Sequence, residues 1–552
     1  MDDGRIRRLA TGYVIPGLIM LSATGADIAS GYAEFTSLNF NGILQFAATT
    51  FVWTGLLSVP WLLFRKKARF FYCPIMVWLL LSCCVQWVSR LKFGMNLGGE
   101  FVGILLTSSS GELENAIGEF LTPITCVAGS IAVICLMAIA LLYWNMRQID
   151  CGWINWVVSI ALIAMFALWN AANLSKTNLD RGMRKVCKQC PTAYFIYDTA
   201  VTLNYRSRIG DLQRHPVIPP GLDKSGRGLT AVFVLGESAT RNRWSLYGYE
   251  RETTPKMSSI RDELIVFSDL VGSSYNTAEA EKFLFTEATQ ADPYKLNCTL
   301  SQLLSSAGFN CALFSNQCRW ADCNTGDLIF FDRCNPREFM SEKPLSDPTY
   351  PFYDDVLLRY LESHLQHCTS NWNVVFLHLR GSHFPFTSTS YPTWAAKFEP
   401  ETFDRGSKDF KNLLKARNNY DNTIWFTDWL LGEVVSLLRK VNHPTMMFYL
   451  SDHGESVDSD HWRKLTDRNL WELPMVCWLS PEFRTAHPDS VKLIEQAKDR
   501  PLQIERLLPG LVSLFGISGY GLKEDNFLDD NYRQARRMIQ KGEVDYDAEY
   551  RR

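Results

Sequence analysis

The chain has 552 residues, a net charge of −2 and 47% hydrophobic residues. This length excludes a single ordinary domain, and two or three are expected. The near-balanced charge leaves no basic excess for nucleic acid, so no nucleic-acid partner is expected.

In chain order, apolar stretches come first, at about 12–32, 42–64, 70–90, 121–143 and 152–173. Each is long enough to cross a bilayer, which takes about 20 residues. The first reads as a span and not as a cleavable leader, because no small-residue cleavage site follows it. Arg5, Arg7 and Arg8 precede the first stretch, Arg65, Lys66, Lys67 and Arg69 follow the second, and Arg147 follows the fourth. Cationic loops stay on the cytoplasmic side. The loops at 34–41 and 91–120, and everything after about 174, are then expected on the far side. In a bacterium with two membranes that is the periplasm, with the anchor in the inner membrane.

Cysteine usage fits an oxidising compartment. Of 15 cysteines, those at 73, 83, 84, 126, 135 and 151 lie in or beside the apolar stretches. Outside them, a disulfide framework is expected among Cys187, Cys190, Cys298, Cys311, Cys318, Cys323, Cys334 and Cys368. Cys477 sits in an apolar run and reads as a buried free thiol.

Three regions are expected: a membrane domain over 1–174, an interfacial helix or solvated linker over 175–228, and a catalytic domain over 229–552. The middle region is basic at Arg181, Arg184, Lys185 and Lys188, with Phe195, Tyr197 and Tyr205 interleaved. Cations and aromatics suit a headgroup layer. From 229, apolar runs at 230–235, 310–314, 374–379, 446–450 and 474–479 alternate with helical patterns such as 352–366 and 419–439. This predicts an α/β domain with a mostly parallel sheet and helices on both faces. The segment after 521 reads as a surface helix.

Ligands in such sheets collect at the carboxyl ends of strands. Glu237 follows the first run, His383 the third, and Asp452-His453 the fourth. Two carboxylates and an imidazole form a zinc-like set with an open position, suited to phosphoryl or sulfuryl transfer. The nucleophile is expected on the loop and helix start at 272–289, where Ser273, Ser274 and Thr277 are equivalent candidates.

Several segments resemble the bacterial phosphoethanolamine transferases, membrane enzymes of the sulfatase and alkaline-phosphatase superfamily. They are Gly236-Glu237-Ser238-Ala239-Thr240-Arg241 running to Arg251-Glu252-Thr253-Thr254-Pro255, Ser315-Asn316-Gln317, Gly381-Ser382-His383 with Tyr391-Pro392, Tyr420-Asp421-Asn422-Thr423-Ile424, and Ser451-Asp452-His453-Gly454-Glu455-Ser456. The resemblance implies zinc held by Glu237, Asp452, His453 and Thr277, with Thr277 as the nucleophile. It implies His383 and His461 in phosphoryl binding or proton transfer, and Asn276 beside the substrate. It places an ethanolamine site in the loop 107–118, on Ser108 with Glu112 or Ser110 with Glu114. The donor implied is phosphatidylethanolamine and the acceptor an envelope glycolipid or glycan, such as lipopolysaccharide lipid A or core. A monomer with one zinc is expected. Arg243 stands where many relatives carry His, and Glu279-Ala280-Glu281-Lys282 is more charged than their pattern. A glycerol-phosphate transferase or sulfatase-like hydrolase on the same fold, and an inactive envelope scaffold, are the alternatives.

Overall fold

The computed structural model describes residues 191–551 apart from 225–227, 318–328, 341–352, 384–385, 387–389, 400–409, 458–464, 522, 541 and 543. The five apolar stretches lie outside these residues. Among the described residues no helix is long and apolar enough to cross a membrane. The chain divides into two compact units, Met1–Arg206 and Ser207–Arg552. Helix α1, Pro191–Arg214, occupies part of the expected linker. It exposes Phe195, Ile196 and Leu203 and buries Ile209 and Leu212.

The second unit is built on an eight-stranded sheet. Its strands are β1 (Leu229–Gly236), β2 (Leu264–Val271), β3 (Asn310–Ser315), β4 (Arg337–Phe339), β5 (Trp372–His378), β6 (Thr445–Ser451), β7 (Glu472–Leu479) and β8 (Leu502–Gln503). Their order across the sheet is β4-β3-β5-β1-β6-β7-β2-β8. The five apolar runs read from sequence all form strands. β1, β6 and β7 are buried along their whole length, as strands covered on both faces must be.

The sheet is mostly parallel, as expected, and one reversed strand makes it mixed. β7 runs antiparallel to both β6 and β2, whereas β1 is parallel to β5 and β6. β2 was missed because Ser268 and Asp269 interrupt its apolar run. Asp269 is tolerated there because Arg537 neutralises it at 2.7 Å.

Between the strands lie α2 (Thr277–Phe285), α3 (Leu300–Ser306), α4 (Val356–His367) and α5 (Phe410–Leu438). Phe233 in the central strand anchors the core, with ring centroids 5.6 Å from Phe376, 5.3 Å from Phe448 and 5.9 Å from Phe285. Phe285 ends α2, so this contact pins that helix over the sheet. The segment after 521 is not a surface helix. Phe527, Leu528, Ile539 and Tyr546 are buried, and short strands 538–539 and 544–545 pair with each other. Its apolar residues close over the β2–β7 side, where Phe527 meets Phe267 at 6.1 Å.

Among the described cysteines no disulfide of the expected framework is formed, and Cys477 is a free thiol as expected. Cys298, Cys311, Cys334, Cys368 and Cys477 are all free. Cys368 accepts instead from the Asn310 amide at 3.4 Å. Burial raises the Cys298 thiol to about 12, and Cys477 likewise. Cys187, Cys190, Cys318 and Cys323 lie outside the described residues.

Candidate metal centre

Strand register builds the site. Gly236 pairs with Ser451 and Leu235 with His378, so β1, β5 and β6 end level with one another. The residues that follow, Glu237 and Asp452, therefore emerge side by side at the carboxyl edge. Gly236 is required: a Cβ there would lie 2.4 Å from the Tyr449 hydroxyl. Beyond it, Ser238 takes a left-handed φ of 57°, a conformation that costs energy for a residue with a Cβ. The turn is held by its contacts. Ser238 N–H donates to Asp452 Oδ1 at 3.0 Å, and the Tyr420 hydroxyl on α5 donates to Ser238 O at 2.8 Å.

Glu237, Asp452 and His453 are all buried, and each offers a ligand atom within 4.8 Å of the others. His453 Nε2 lies 3.4 Å from both Glu237 Oε1 and Asp452 Oδ2. Its Nδ1 is 2.8 Å from the Gly454 carbonyl. Donation there leaves the Nε2 lone pair facing the carboxylates, the tautomer a metal ligand needs. Asp452 Oδ1 accepts two backbone N–H groups, from Ser238 and from His453 at 2.7 Å. Its Oδ2 is buried without a hydrogen-bond partner. Burial pushes the Asp452 carboxyl above its ordinary range, partly offset by those N–H groups. An orphaned buried oxygen and two carboxylates facing an imidazole lone pair fit a divalent cation, and the mixed O and N donors fit zinc.

Thr277 begins α2, with Asn276 capping the helix by accepting from Glu279 N–H at 3.3 Å. The Thr277 hydroxyl donates to Glu237 Oε2 at 3.0 Å and lies 3.3 Å from His453 Nε2. Ser273 and Ser274 face elsewhere: Ser273 Oγ accepts from Glu505 N–H, and Ser274 Oγ donates to Glu279. The structure thus brings Thr277 together with Glu237, Asp452 and His453 and leaves both serines outside the cluster.

His383 lies on the loop beside Glu237. The loop carrying it is pressed onto Glu237, with Ser382 N–H donating to Glu237 O at 2.9 Å. Gly381 has φ 51°, and a Cβ there would lie 2.9 Å from the same carbonyl. His383 itself is exposed. His461, Ser108, Ser110, Glu112 and Glu114 fall outside the described residues. Arg243 is buried against Asp421 at 3.4 Å and the Tyr249 hydroxyl. Arg251 binds the same Asp421 at 2.7 Å. Arg243 thus serves an internal ion-pair network.

Two supporting residues escaped the sequence reading. Gln317 donates to Glu237 Oε2 at 3.4 Å and to Leu379 O at 2.7 Å. It belongs to the Ser315-Asn316-Gln317 segment, whose resemblance implies no role for it. Asp354 accepts from Arg380 N–H, Gly381 N–H and the Asn316 amide at 2.8, 2.9 and 2.9 Å. It fixes the His383 loop, and nothing in its sequence context separates it from an ordinary helix-capping Asp.

Comparison with known proteins is consistent across sequence and fold. The sulfatase family model matches residues 230–517. Phosphoethanolamine transferase EptC of Escherichia coli K12 is 24% identical over 533 residues, 90% of each chain. Phosphoethanolamine transferase EptA of Helicobacter pylori is 29% identical over 268 residues, 46% of this chain and 49% of that one. The zinc complex of the periplasmic domain of E. coli EptC superposes with a TM-score of 0.54 at 24% identity, over 60% of this chain and 97% of that one. The integral membrane lipooligosaccharide phosphoethanolamine transferase A of Neisseria meningitidis superposes with a TM-score of 0.59 at 19% identity, over 94% and 97%.

Proposed function

The chain belongs to the sulfatase family, and on that footing we propose that it is a phosphoethanolamine transferase. The donor is phosphatidylethanolamine, the acceptor is an envelope glycolipid or glycan, and Thr277 is the nucleophile. One observation carries this reading: the Thr277 hydroxyl stands 3.0 Å from Glu237 and 3.3 Å from His453, within a buried Glu–Asp–His set. The relatives over most of its length are named for the same transfer.

The residues fit zinc, held by Glu237, Asp452, His453 and Thr277. When bound, zinc lowers the proton affinity of a hydroxyl beside it and offsets charge on phosphoryl oxygens. The chain's own groups do the rest. Glu237 Oε2 accepts the Thr277 proton and orients its oxygen. That oxygen bonds to the donor's phosphorus as the bond to the diacylglycerol oxygen breaks, and the leaving oxygen takes a proton. His383, on the loop beside Glu237, is the residue proposed to supply it. An acceptor hydroxyl or phosphate oxygen then bonds to that phosphorus as the bond to the Thr277 oxygen breaks; Glu237 returns its proton to Thr277, and the proton lost by an acceptor hydroxyl goes to His383. The turn at Ser238 and the cap at Asn276 hold these groups in place before substrate arrives, and this positioning is the larger part of such catalysis.

The apolar stretches give the arrangement its setting: an inner-membrane anchor with the catalytic unit in the periplasm, beside the lipid it uses. The resemblance also implies substrate roles for the loop 107–118 and for His461, which lie outside the described residues. Mass spectrometry of envelope glycolipids and glycans, with and without the gene, tests the assignment. Gain of one phosphoethanolamine on a glycolipid or glycan is expected. Gain of glycerol phosphate, or of nothing, would refute it.

A further inference from the structure

Glu281 lies one helical turn after Thr277 on α2 and is fully buried. Residues four apart share a helix face, so the face that delivers Thr277 to the strand ends also delivers Glu281. There it meets His378, the last residue of β5, with Nδ1 3.5 Å from Glu281 Oε1 and both side chains fully buried. β5 neighbours β1 at that level, since His378 pairs with Leu235 two residues before Glu237. A closed circuit results. Thr277 bonds Glu237 at the end of β1, the adjacent β5 presents His378, and His378 meets Glu281 on the helix that carries Thr277.

A buried carboxylate is an expensive way to fill space. An aliphatic residue packs such a position at lower cost, and replacing a buried ion pair by apolar residues is often neutral or stabilising. What an acid and an imidazole add is direction: they fix one helix against one strand at a set distance. Phe285 pins the far end of α2 to the sheet, and the acid–imidazole contact adds a fixed point one turn after Thr277. We propose that Glu281 and His378 form a buried strut that sets the position of the Thr277 hydroxyl at the cluster, making both positioning residues for the transfer. The proposal rests on Thr277 being the nucleophile.

The test uses the full chain purified in detergent, comparing wild type with Glu281→Gln, Glu281→Leu and the double variant Glu281→Leu/His378→Leu. The double variant guards against a single change that merely strands an unpaired histidine. Zinc content, melting temperature and transfer from phosphatidylethanolamine are measured on each. The double variant is expected to bind zinc and melt no lower than wild type, yet to lose about tenfold or more in kcat with KM within about twofold, the scale of a nucleophile displaced by a fraction of an ångström. Glu281→Gln, which keeps an acceptor at the same reach, is expected to stay within about threefold of wild type. Wild-type kcat in the double variant would overturn the proposal, and so would a loss in Glu281→Gln as large as in Glu281→Leu. Hydrogen exchange across 277–285 reads the strut without any transfer. Faster exchange in the double variant is expected, and unchanged exchange would overturn it. Wild type that transfers nothing, with the exchange difference intact, would count against the proposed function and not against the strut.

Discussion

Thr277 is set apart from Ser273 and Ser274 by where α2 starts. All three are hydroxyls within five residues, and no spacing rule separates them. The helix begins at 277, so its first hydroxyl faces Glu237 and His453, while the serines are used to cap and brace the loop. Glu237, Asp452 and His453 were legible because each directly follows an apolar run. Gln317 and Glu281 were not, because their roles depend on the partner opposite them. Thr277→Ala is expected to cut transfer about a thousandfold or more, in steady-state assays with phosphatidylethanolamine. Zinc binding should persist in that variant, since the proposed ligands Glu237, Asp452 and His453 remain. A second residue bears on pH. Asp428 on α5 accepts from Lys256 N–H at 2.7 Å and Met257 N–H at 2.9 Å, yet burial outweighs these bonds and raises its carboxyl to about 7. The folded state therefore holds its proton more tightly than the unfolded chain does. Its stability contribution is full below pH about 4 and is lost as pH rises to about 7, with a slope of up to about 1.4 kcal/mol per pH unit. Asp428→Asn should flatten the melting temperature over that window.

At the level of elements, the strand runs were readable because fully buried strands are written as unbroken apolar stretches. β2 was not, because Ser268 and Asp269 break it, and its pairing with β7 depends on a partner more than 200 residues away. The antiparallel direction of β7 was equally hidden, since an apolar run carries no sign of direction. The loop after β6 shows how tightly elements fix the site. A Cβ on Gly454 would lie 1.8 Å from the Asn469 carbonyl, so the chain can pass the 468–470 turn only as glycine. Gly454→Ala should force the two backbones apart and pull the Gly454 carbonyl away from His453 Nδ1. A loss of about 2–3 kcal/mol in denaturant unfolding is expected, together with weaker zinc binding by chelator competition.

Across the whole molecule, the end of the chain secures its middle. Arg537 is buried between Asp269 and Asp547, and the Tyr546 hydroxyl donates to Glu472 beside Asn242 and Arg468. Charge pattern alone suggested a surface helix, because nothing in the sequence pairs Arg537 with Asp269, 268 positions earlier. Removing residues 537–552 should leave Asp269 poorly neutralised and cost about 3 kcal/mol or more in unfolding measurements. The central claim is that Thr277 carries the transferred group. Peptide mass spectrometry of the zinc-loaded full chain, after incubation with phosphatidylethanolamine and no acceptor, tests it most directly. One phosphoethanolamine on Thr277, absent after zinc removal and absent from Thr277→Ala, is the expected result. An unmodified Thr277 in an otherwise active preparation, or the group found on Ser273 or Ser274, would contradict it.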